Sequence, residues 1–578
     1  MIARVAAAAL AAALTAASGV AGAAPRAQGD AEPAVAGAAN GPAVAAGRHG
    51  AVATDQVLAT DVGLAVLRAG GNAVDAAVAI GYALAVVYPS AGNIGGGGFM
   101  LVREQSGSAH FIDFRETAPA RATATMYLDR RGKVVPELST VGGLSVAVPG
   151  TVAGLELARA RYGTRSRAAL LAPAIALAAK GWVLRPADAD VFAANAALLR
   201  RFPSTMAAFA PSGRLPRAGD RLRQPALAAT LRTIAREGPP GFARGSVAAK
   251  IAAADERAGG ILSRADLAAY RAVERPPVRC ALGADRIASS PQPSSGGIAI
   301  CETLGILADL PPAPIGSVRA AHDLLEAERR AFADRSVALG DPTVVPDPSA
   351  RLLAAARLRA LAAGIAPDRA TPSRELRGAA EREGRNTTNY AVVDARGNAV
   401  DVTYTLNSTF GSGLVAAGTG VLLNNEMDDF ASKPGVPNQF GLVGSRANAI
   451  RPGKRPLSSM SPTIVTDAAG RVVLVAGAAG GPRIVTTTLL IVRDVVVRHA
   501  PVGRAVDAPR LHEQWLPDVV YAEPGALAPP VLRALRAEGY AIELGPAESE
   551  ANAVAVGPGG TRTAAHDPRR PTGSAGAY

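Results

Sequence analysis

The chain has 578 residues, 49% of them hydrophobic and only 4% aromatic, so it can bury a large core built mainly from small aliphatic side chains. Its formal net charge is +13, but the arginines are spread along the sequence without basic runs interleaved with aromatics, which argues against a nucleic-acid binder. The composition also excludes a disordered, collagen-like or coiled-coil protein.

The N-terminal segment has the pattern of a secretory signal. A positively charged start precedes an apolar stretch, and small residues at 21–23 offer a cleavage site. We therefore predict a signal peptide over 1–24, a flexible linker over 25–47 and a periplasmic or secreted protein without a stable membrane anchor after signal cleavage. An uncleaved anchor is the alternative, but Ser18 and the glycines interrupt the apolar run.

Two helices are predicted at the start of the patterned region. The first carries apolar residues at helical spacing between an N-cap at Ala53-Thr54-Asp55 and a stop at Gly70-Gly71. The second, at 72–89, is apolar on nearly all sides and should be buried. Four glycines at 95–98 follow, which let backbones approach closely; without a following Lys-Ser/Thr they do not form a P-loop.

The rest of the large N-terminal part mixes strands and helices. The patterns predict strands at 99–104 and 109–119, a mostly helical stretch over about 150–280, a loop feeding a helix at 289–307, and a charged helix at 322–342. Residues 343–386 lack periodicity, and a polar segment of this kind before a strand is where a processing site could be exposed.

The cysteines and histidines of the sequence do not indicate a catalytic or metal-binding site. Cys280 and Cys301 are the only cysteines, and an exported protein could bond them or keep both as buried thiols. The six histidines are scattered, without HExxH or CxxC spacing, so no metal site is predicted.

A β-hairpin is predicted after residue 386. Strands at 387–394 and 399–407 flank a Gly-Asn turn. With that turn as the tip, Thr387 lies opposite Leu406, to within one residue, with Thr405 beside it. Thr387 and Thr405 are therefore expected to be neighbours on paired strands.

The tripeptide Asn386-Thr387-Thr388 at the entrance of this hairpin fits three hypotheses: an N-glycosylation sequon, a polar loop that enters a strand, or a threonine that becomes an N-terminus. In the third, cleavage before Thr387 would create an α-amine with a pKa of about 7.7–8.0 in reference peptides. That amine could take the hydroxyl proton while Thr405 holds the hydroxyl in place. The residue types alone do not decide between the three hypotheses.

A series of motifs resembles the γ-glutamyltranspeptidases, which are N-terminal-nucleophile hydrolases. The resemblance runs from about Arg48 to the end of the chain. Its motifs, in order, are GGNAVDAAVA, AGNIGGGGFM, DFRETAP, PSSGG, TTNYAVVDARGNAVDVTYTLNSTFGSG, LLNNEMDDFASKPGVPN, RPLSSMSPTIV, AGGPRI and DPRR.

The resemblance implies a precursor that cleaves itself between Asn386 and Thr387 into a large subunit, 48–386, and a small catalytic subunit, 387–578. Together these would build one α+β domain, a four-layer αββα sandwich, and the sequon hypothesis would fall. The implied activity is that of a γ-glutamyltransferase and glutathione hydrolase. Glutathione and other γ-glutamyl compounds would donate to water, an amino acid or a dipeptide, with no metal or organic cofactor and no nucleic-acid partner.

The resemblance also assigns roles within the site. Thr387 would be the nucleophile, oriented by Thr405, with Thr388 a further candidate for that role. The residues implied at the substrate's α-carboxylate are Arg115, Ser458 and Ser459, and those at its α-ammonium are Asn407, Glu426 and Asp429. Gly480 and Gly481 would present backbone N–H groups to the oxyanion.

Each of these residues also has a plain structural interpretation. A guanidinium binds a carboxylate bidentately, but Arg115 by itself fits a surface ion pair with Glu116 equally well. A Ser-Ser pair is more often a loop or a cap, and the acidic and Gly-Gly segments are more often turns.

Three positions depart from the family pattern. Glu426 stands where many bacterial relatives carry Gln, Phe440 where some carry a lid Tyr, and Asn389 where some carry His. The alternatives are a glutaryl (cephalosporin) acylase of the same family, against which Asp429 argues because it favours a free amine, and a non-catalytic secreted binding protein.

Overall fold

The computed structural model describes residues 43–135, 137–376, 386–433 and 445–578. The predicted signal peptide at 1–24, nearly all of the linker and Phe440 lie outside the described residues. Within them, two seven-stranded sheets form the centre of the molecule. Every strand of both sheets pairs antiparallel with its neighbours.

The strands of the two sheets are β1 Val44–Gly47, β2 Ala51–Thr54, β3 Gly97–Arg103, β4 Ala109–Asp113, β5 Val273–Arg275, β6 Val278–Leu282, β7 Asp285–Ser289, β8 Asn386–Val393, β9 Ala399–Asn407, β10 Thr463–Thr466, β11 Val472–Ala479, β12 Glu550–Val556, β13 Arg562–His566 and β14 Ser574–Ala577. The sheet that carries Thr387, here the threonine sheet, has the order β14-β2-β8-β9-β3-β4-β5. The other, here the glycine sheet because β11 leads into Gly480 and Gly481, has the order β1-β13-β12-β11-β10-β7-β6.

Helices cover the outer face of each sheet. The helices that position the site are α1 Val57–Arg68, α2 Ala73–Val87, α3 Gly296–Ala308, α4 Val318–Ala338 and α5 Arg483–Val492. α1 and α2 pack on the threonine sheet, α3 and α5 pack on the glycine sheet, and α4 lies against α3.

The remaining elements surround this sandwich. Further helices are Glu137–Thr140, Thr151–Tyr162, Arg167–Lys180, Pro186–Ala194, Ala196–Leu199, Pro203–Phe209, Pro225–Glu237, Pro239–Ala243, Gly245–Arg257, Arg264–Ala269, Ser349–Leu352, Ala355–Ala363, Val502–Asp507 and Pro529–Ala537. Short strands outside the two sheets are Trp182–Val183, Arg221–Leu222, Val415–Ala416, Val421–Leu422, Leu511–His512, Val520–Ala522 and Ile542–Leu544.

Residue alternation along β8 shows why four layers form. Tyr390 and Val392 belong to the core shared with α1 and α2, whereas Ala391 and Val393 belong to the core shared with the glycine sheet. Successive side chains of a strand point to opposite faces, so both faces of the threonine sheet are apolar and covered. This confirms the predicted αββα sandwich.

The observed elements agree with the predicted ones in type and order, with three corrections. The strand predicted at 109–119 ends at Asp113. The N-cap of α1 is Gln56, whose side chain accepts from the Leu58 N–H, because Asp55 instead accepts a hydrogen bond from Thr388. Residues 44–47, assigned to the linker from composition, form the edge strand β1 and pair with β13. That pairing uses backbone groups, which composition does not reveal.

Two findings concern anchoring and metals. No helix among the described residues is long and apolar enough to cross a bilayer. In the same part of the chain, no group of three or more His, Cys, Asp and Glu side chains is arranged to hold a metal ion.

The structure bonds Cys280 on β6 to Cys301 on α3, with their Cα atoms 5.8 Å apart, which resolves a question that the sequence left open. The bridge joins the edge strand of the glycine sheet to the helix that covers it. It therefore ties the helix layer to the sheet beneath.

Replacing Cys280 and Cys301 together by alanine is expected to lower the apparent melting temperature. A cross-link between residues 21 positions apart restricts the unfolded chain by about 3 kcal/mol. Differential scanning fluorimetry checks this, and wild type treated with a reductant should show a similar loss. Denatured wild type that reacts with a thiol alkylating reagent without prior reduction would contradict the bond.

Candidate active site

Thr387 lies in β8 directly opposite Thr405 of β9. The sequence predicted Leu406 opposite Thr387, so the observed strand register differs from the predicted one by one residue, which is within the expected error. The two threonines are neighbours, as predicted. Their hydroxyl oxygens are 3.5 Å apart, and both side chains are buried.

The Asn386–Thr387 peptide bond coincides with an irregularity in the strand pairing. Asn386 pairs with Asn407, whereas Thr387 pairs with Thr405, so the register shifts between these two residues. Asn407 has a positive φ of 77°, which asparagine tolerates better than most residues. A bulge at this position leaves one residue unpaired and bends the strand, so the bond before Thr387 departs from regular sheet geometry.

The Thr405 hydroxyl and backbone are held by neighbouring groups. Its hydroxyl oxygen accepts from the Asn407 N–H at 2.8 Å, and its carbonyl accepts from the Asn93 side chain at 2.8 Å. A Cβ at Gly96 would lie 2.1 Å from the same carbonyl, so only glycine permits this approach. Asn93 and Gly96, both in the glycine-rich motif, therefore support Thr405.

Thr388 does not face the Thr387 hydroxyl. Its hydroxyl donates to Asp55 at 2.7 Å, and it points to the opposite face from Thr387 because consecutive residues of a strand point to opposite faces. Thr388 therefore anchors the start of β8, and Thr405 is the threonine that lies at the Thr387 hydroxyl.

Gly480 and Gly481 lie between β11 and α5, with φ values of 121° and 61°. Such values favour glycine, and the pair lies just before the positive end of the α5 dipole. Gly477, three residues earlier, packs so close to Asn389 of β8 that a Cβ would lie 2.2 Å from its Nδ2 atom. The end of β11 is thereby brought to the start of β8, which begins at the proposed cleavage bond.

Arg115 is completely buried and contacts three carboxyl groups. Its guanidinium pairs with Glu426 and with Asp429, and it lies 3.7 Å from Glu116. It also donates to the backbone carbonyls of Pro456 and Leu457. The surface ion pair with Glu116 that the sequence left open is thus a buried contact within a larger cluster.

The charges of this cluster do not balance. Burial opposes the charged form of Arg115, but Glu426, Asp429 and Glu116 raise its pKa above the ordinary value. Burial raises the pKa of Glu116 to about 8, partly opposed by Arg115, and raises that of Glu426 well above its ordinary value. One guanidinium cannot stabilise three buried carboxylates, so the cluster retains protons near neutral pH.

Ser458 and Ser459 are buried beside this cluster, and the Leu457 carbonyl just before them accepts from Arg115. The Ser458 hydroxyl accepts from the Met460 N–H at 3.1 Å. The Ser459 hydroxyl accepts from Arg335 at 3.2 Å. The two serines therefore directly follow a residue that is bonded to Arg115, the arginine with which the resemblance groups them.

Asn407 ends β9, and Asn389 lies within β8. The Asn407 side chain donates to the Asn425 carbonyl at 2.9 Å, which links β9 to the acidic turn that carries Glu426 and Asp429. Asn389, found where some relatives carry His, donates to Asp401 at 2.8 Å. Asn389 is therefore a link between β8 and β9 within the sandwich.

Three contributors were not assigned from the sequence. Asn93 and Arg335 contact site residues by hydrogen bonds, and Glu116 is a buried carboxyl whose oxygens have no hydrogen-bond partner among the described residues. A Cβ at Gly97, which pairs with Thr405, would lie 2.6 Å from the Glu116 carboxyl group. The position of Glu116 beside Arg115 in DFRETAP was the only available signal.

A buried threonine at the start of a strand of a four-layer αββα sandwich, with a second threonine at its hydroxyl and a glycine pair at the facing strand end, defines an N-terminal-nucleophile hydrolase. Comparison with known proteins narrows this class. The γ-glutamyltranspeptidase family model matches residues 59–577, and the chain belongs to that family.

Individual relatives agree with this assignment. The chain is 47% identical over 543 residues to a glutathione hydrolase proenzyme from Pseudomonas sp. (strain A14), covering 92% of this chain and 94% of the relative. Among solved structures, cephalosporin acylase from Bacillus halodurans superposes with a TM-score of 0.81 at 27% identity, covering 93% and 97% of the two chains. Helicobacter pylori γ-glutamyltranspeptidase matches with a TM-score of 0.55 at 40% identity, covering 56% of this chain and 93% of that one.

The charge imbalance predicts a pH-dependent effect of Glu116→Gln. Because the folded state raises the pKa of Glu116 to about 8, the stability it contributes in its protonated form is lost as the pH rises through that value. Glutamine mimics the protonated form at every pH. Relative to wild type, the melting temperature of the variant should rise by about 2–4 °C between pH 6 and pH 9.

Melting curves of both proteins between pH 6 and pH 9 check this. Glu137→Gln, at an exposed glutamate paired with Arg201, is the matched control and should show no such trend. A difference between Glu116→Gln and wild type that does not change with pH would exclude a buried, protonated Glu116.

Proposed function

We propose that the protein is a γ-glutamyltransferase and glutathione hydrolase whose precursor cleaves itself between Asn386 and Thr387 into segments 48–386 and 387–578. The observation that carries the proposal is the position of Thr387. Its hydroxyl meets Thr405 at 3.5 Å, at a bond where the strand register shifts. Membership of a family with proenzyme relatives supports the same conclusion.

Cleavage would begin with attack of the Thr387 hydroxyl oxygen on the carbonyl carbon of Asn386. The peptide C–N bond breaks as the C–O ester bond forms, and the nitrogen of Thr387 takes up the proton that the hydroxyl loses. Water then hydrolyses the ester, which leaves Asn386 as a carboxyl terminus and Thr387 as a free amine. The bulge favours this step because it frees the bond from regular pairing.

The mature enzyme would use the same hydroxyl with a new base. The α-amine of Thr387 takes the hydroxyl proton as the oxygen attacks the γ-carbonyl of the donor. Gly480 and Gly481 N–H groups stabilise the resulting oxyanion, and a single donor of this kind contributes about 10²–10³ in rate. The leaving amine takes the proton, and water or an amine acceptor then resolves the γ-glutamyl ester.

The γ-glutamyl donor would bind at the buried cluster of Arg115 and its neighbouring acids. The γ-glutamyl group ends in an α-carboxylate and an α-ammonium, so it presents the same two charges that pair with each other in this structure. Its carboxylate replaces the acids at Arg115 and is bound by Ser458 and Ser459. Its ammonium takes the place of the guanidinium at Asp429 and Glu426, next to Asn407. Each buried charge thereby keeps a partner.

A glutaryl acylase is the second candidate, supported by the similarity to the Bacillus halodurans cephalosporin acylase structure. A glutaryl group has the carboxylate but lacks the ammonium. Bound glutaryl would leave Glu426 and Asp429 without a cationic partner once Arg115 is engaged, which is costly for buried carboxylates. The acids therefore favour the γ-glutamyl donor. Turnover of either donor would exclude a non-catalytic binding protein.

Export to the periplasm or the medium is part of this proposal. It is supported by the signal pattern over 1–24 and by the bond between Cys280 and Cys301, since disulfides persist in oxidising compartments. Fractionation of the producing cells with N-terminal sequencing of the large chain tests it; a cytoplasmic protein that retains residues 1–24 would overturn it.

Purified wild type is expected to contain two chains, the smaller beginning TTNYAVVD. Thr387→Ala should remain a single chain and be inactive, because it lacks the attacking hydroxyl. Thr387→Ser should recover part of both cleavage and turnover, since it retains a hydroxyl. Intact mass and N-terminal sequencing decide the outcome; cleavage elsewhere, or cleavage of Thr387→Ala, would contradict the mechanism.

The two donor classes are expected to differ by at least about tenfold in kcat/KM, corresponding to about 1.4 kcal/mol. γ-Glutamyl-4-nitroanilide should be the better donor and glutaryl-4-nitroanilide the poorer. Asp429→Asn should narrow this ratio by weakening the ammonium site. Initial rates for both anilides with wild type and variant provide the test, and a preference for the glutaryl anilide would favour the acylase.

A further inference from the structure

The PSSGG motif, residues 293–297, has no role in the proposed chemistry, yet it is bonded to the serine pair of the carboxylate site. The Ser458 carbonyl accepts from both the N–H and the hydroxyl of Ser295, at 2.7 and 2.8 Å, and the Ser458 N–H donates to the Pro293 carbonyl. A Cβ at Gly296 would lie 1.9 Å from the Ser461 hydroxyl. The motif therefore fits closely against the segment that carries Ser458 and Ser459.

Arg335 of α4 joins these two segments. Its Nε donates to the Ser295 hydroxyl at 2.8 Å, and one of its terminal nitrogens donates to the Ser459 hydroxyl at 3.2 Å. Its side chain is buried, so these contacts are made away from bulk water. A charged donor makes a stronger hydrogen bond there than a neutral one.

These bonds determine where the serine protons point. A guanidinium has donors only, so Arg335 can occupy a lone pair of the Ser459 oxygen but cannot accept its proton. Within the described residues the Ser459 hydroxyl makes no other hydrogen bond, so its proton is available to a ligand. The Ser295 hydroxyl is oriented in the same way. It accepts from Arg335 and donates its own proton to the Ser458 carbonyl.

We propose that Arg335, acting with Ser295 of PSSGG, is a positioning residue that holds the Ser459 hydroxyl with its proton directed at the α-carboxylate of the donor. This inference rests on the proposed function, because it assumes that Ser459 binds that carboxylate. It predicts that Arg335 affects donor binding and does so through Ser459, while chemistry at Thr387 is unaffected.

A double-mutant cycle on KM and kcat for γ-glutamyl-4-nitroanilide tests this, with Arg335→Met, Ser459→Ala and the double variant. Each single variant should raise KM about tenfold with kcat within about twofold of wild type, as expected for loss of one charge-assisted bond. The double variant should be no more than about twofold worse than the poorer single one. Arg335→Lys, which retains one charged donor, should recover part of the loss.

Arg330→Met is the matched control. Arg330 is also a buried arginine of α4, but it bonds to Glu326 and the Gly364 carbonyl. Its loss should lower the melting temperature without changing KM. Chain cleavage and melting temperature are recorded for every variant, and Arg335→Lys replaces Arg335→Met in the cycle should the latter not accumulate.

The possible results distinguish failure of the proposed function from failure of the role given to Arg335. Wild type without γ-glutamyl turnover would reject the proposed function itself. With wild type active, multiplicative KM effects in the double variant, an effect confined to kcat, an equal KM change in Arg330→Met, or an unchanged KM in Ser459→Ala would each overturn the role given to Arg335.

Discussion

The antiparallel pairing of β8 with β9 is the constraint on which the rest of the site depends. It places Thr387 opposite Thr405, and the same strand order brings Gly97 against Thr405 from the other side. Because side chains alternate along a strand, one register puts Thr387 and Thr405 on the face toward the glycine sheet. A slip of β8 by one residue would turn the Thr387 hydroxyl toward α1 and α2, away from the Thr405 hydroxyl.

Support for this pairing comes from residues with no chemistry of their own. Asn93 and Gly96 fix the Thr405 backbone, and Asp55 holds Thr388 on the opposite face. The glycine-rich motif thus has a packing role: its glycines allow a loop to lie against the strand that carries Thr405. The nucleophile proposed at Thr387 would need a fixed geometry, and buried hydrogen bonds around its partner Thr405 supply it.

Much of this could be predicted from the sequence, because long apolar runs, the hairpin and the order of motifs are local features. The α2 helix, the hairpin and the nearness of Thr387 to Thr405 followed from periodicity. What could not be predicted depends on distant partners. Gln56 caps α1 because Asp55 is used by a strand more than 300 residues away, and Arg335 reaches Ser459 from a helix whose charge pattern resembles that of any exposed helix.

The geometry of the Arg115 cluster limits which combination of charges a ligand at this site can carry. In the uncleaved chain Arg115 and its acids are buried and paired with each other. A ligand with only a carboxylate would displace two acids and leave them unpaired, and one with only an ammonium would compete with a guanidinium that is already held. A ligand that carries both charges replaces both partners in one step. The buried cluster would therefore discriminate between ligands by the cost of leaving one of its buried ionisable groups without a partner.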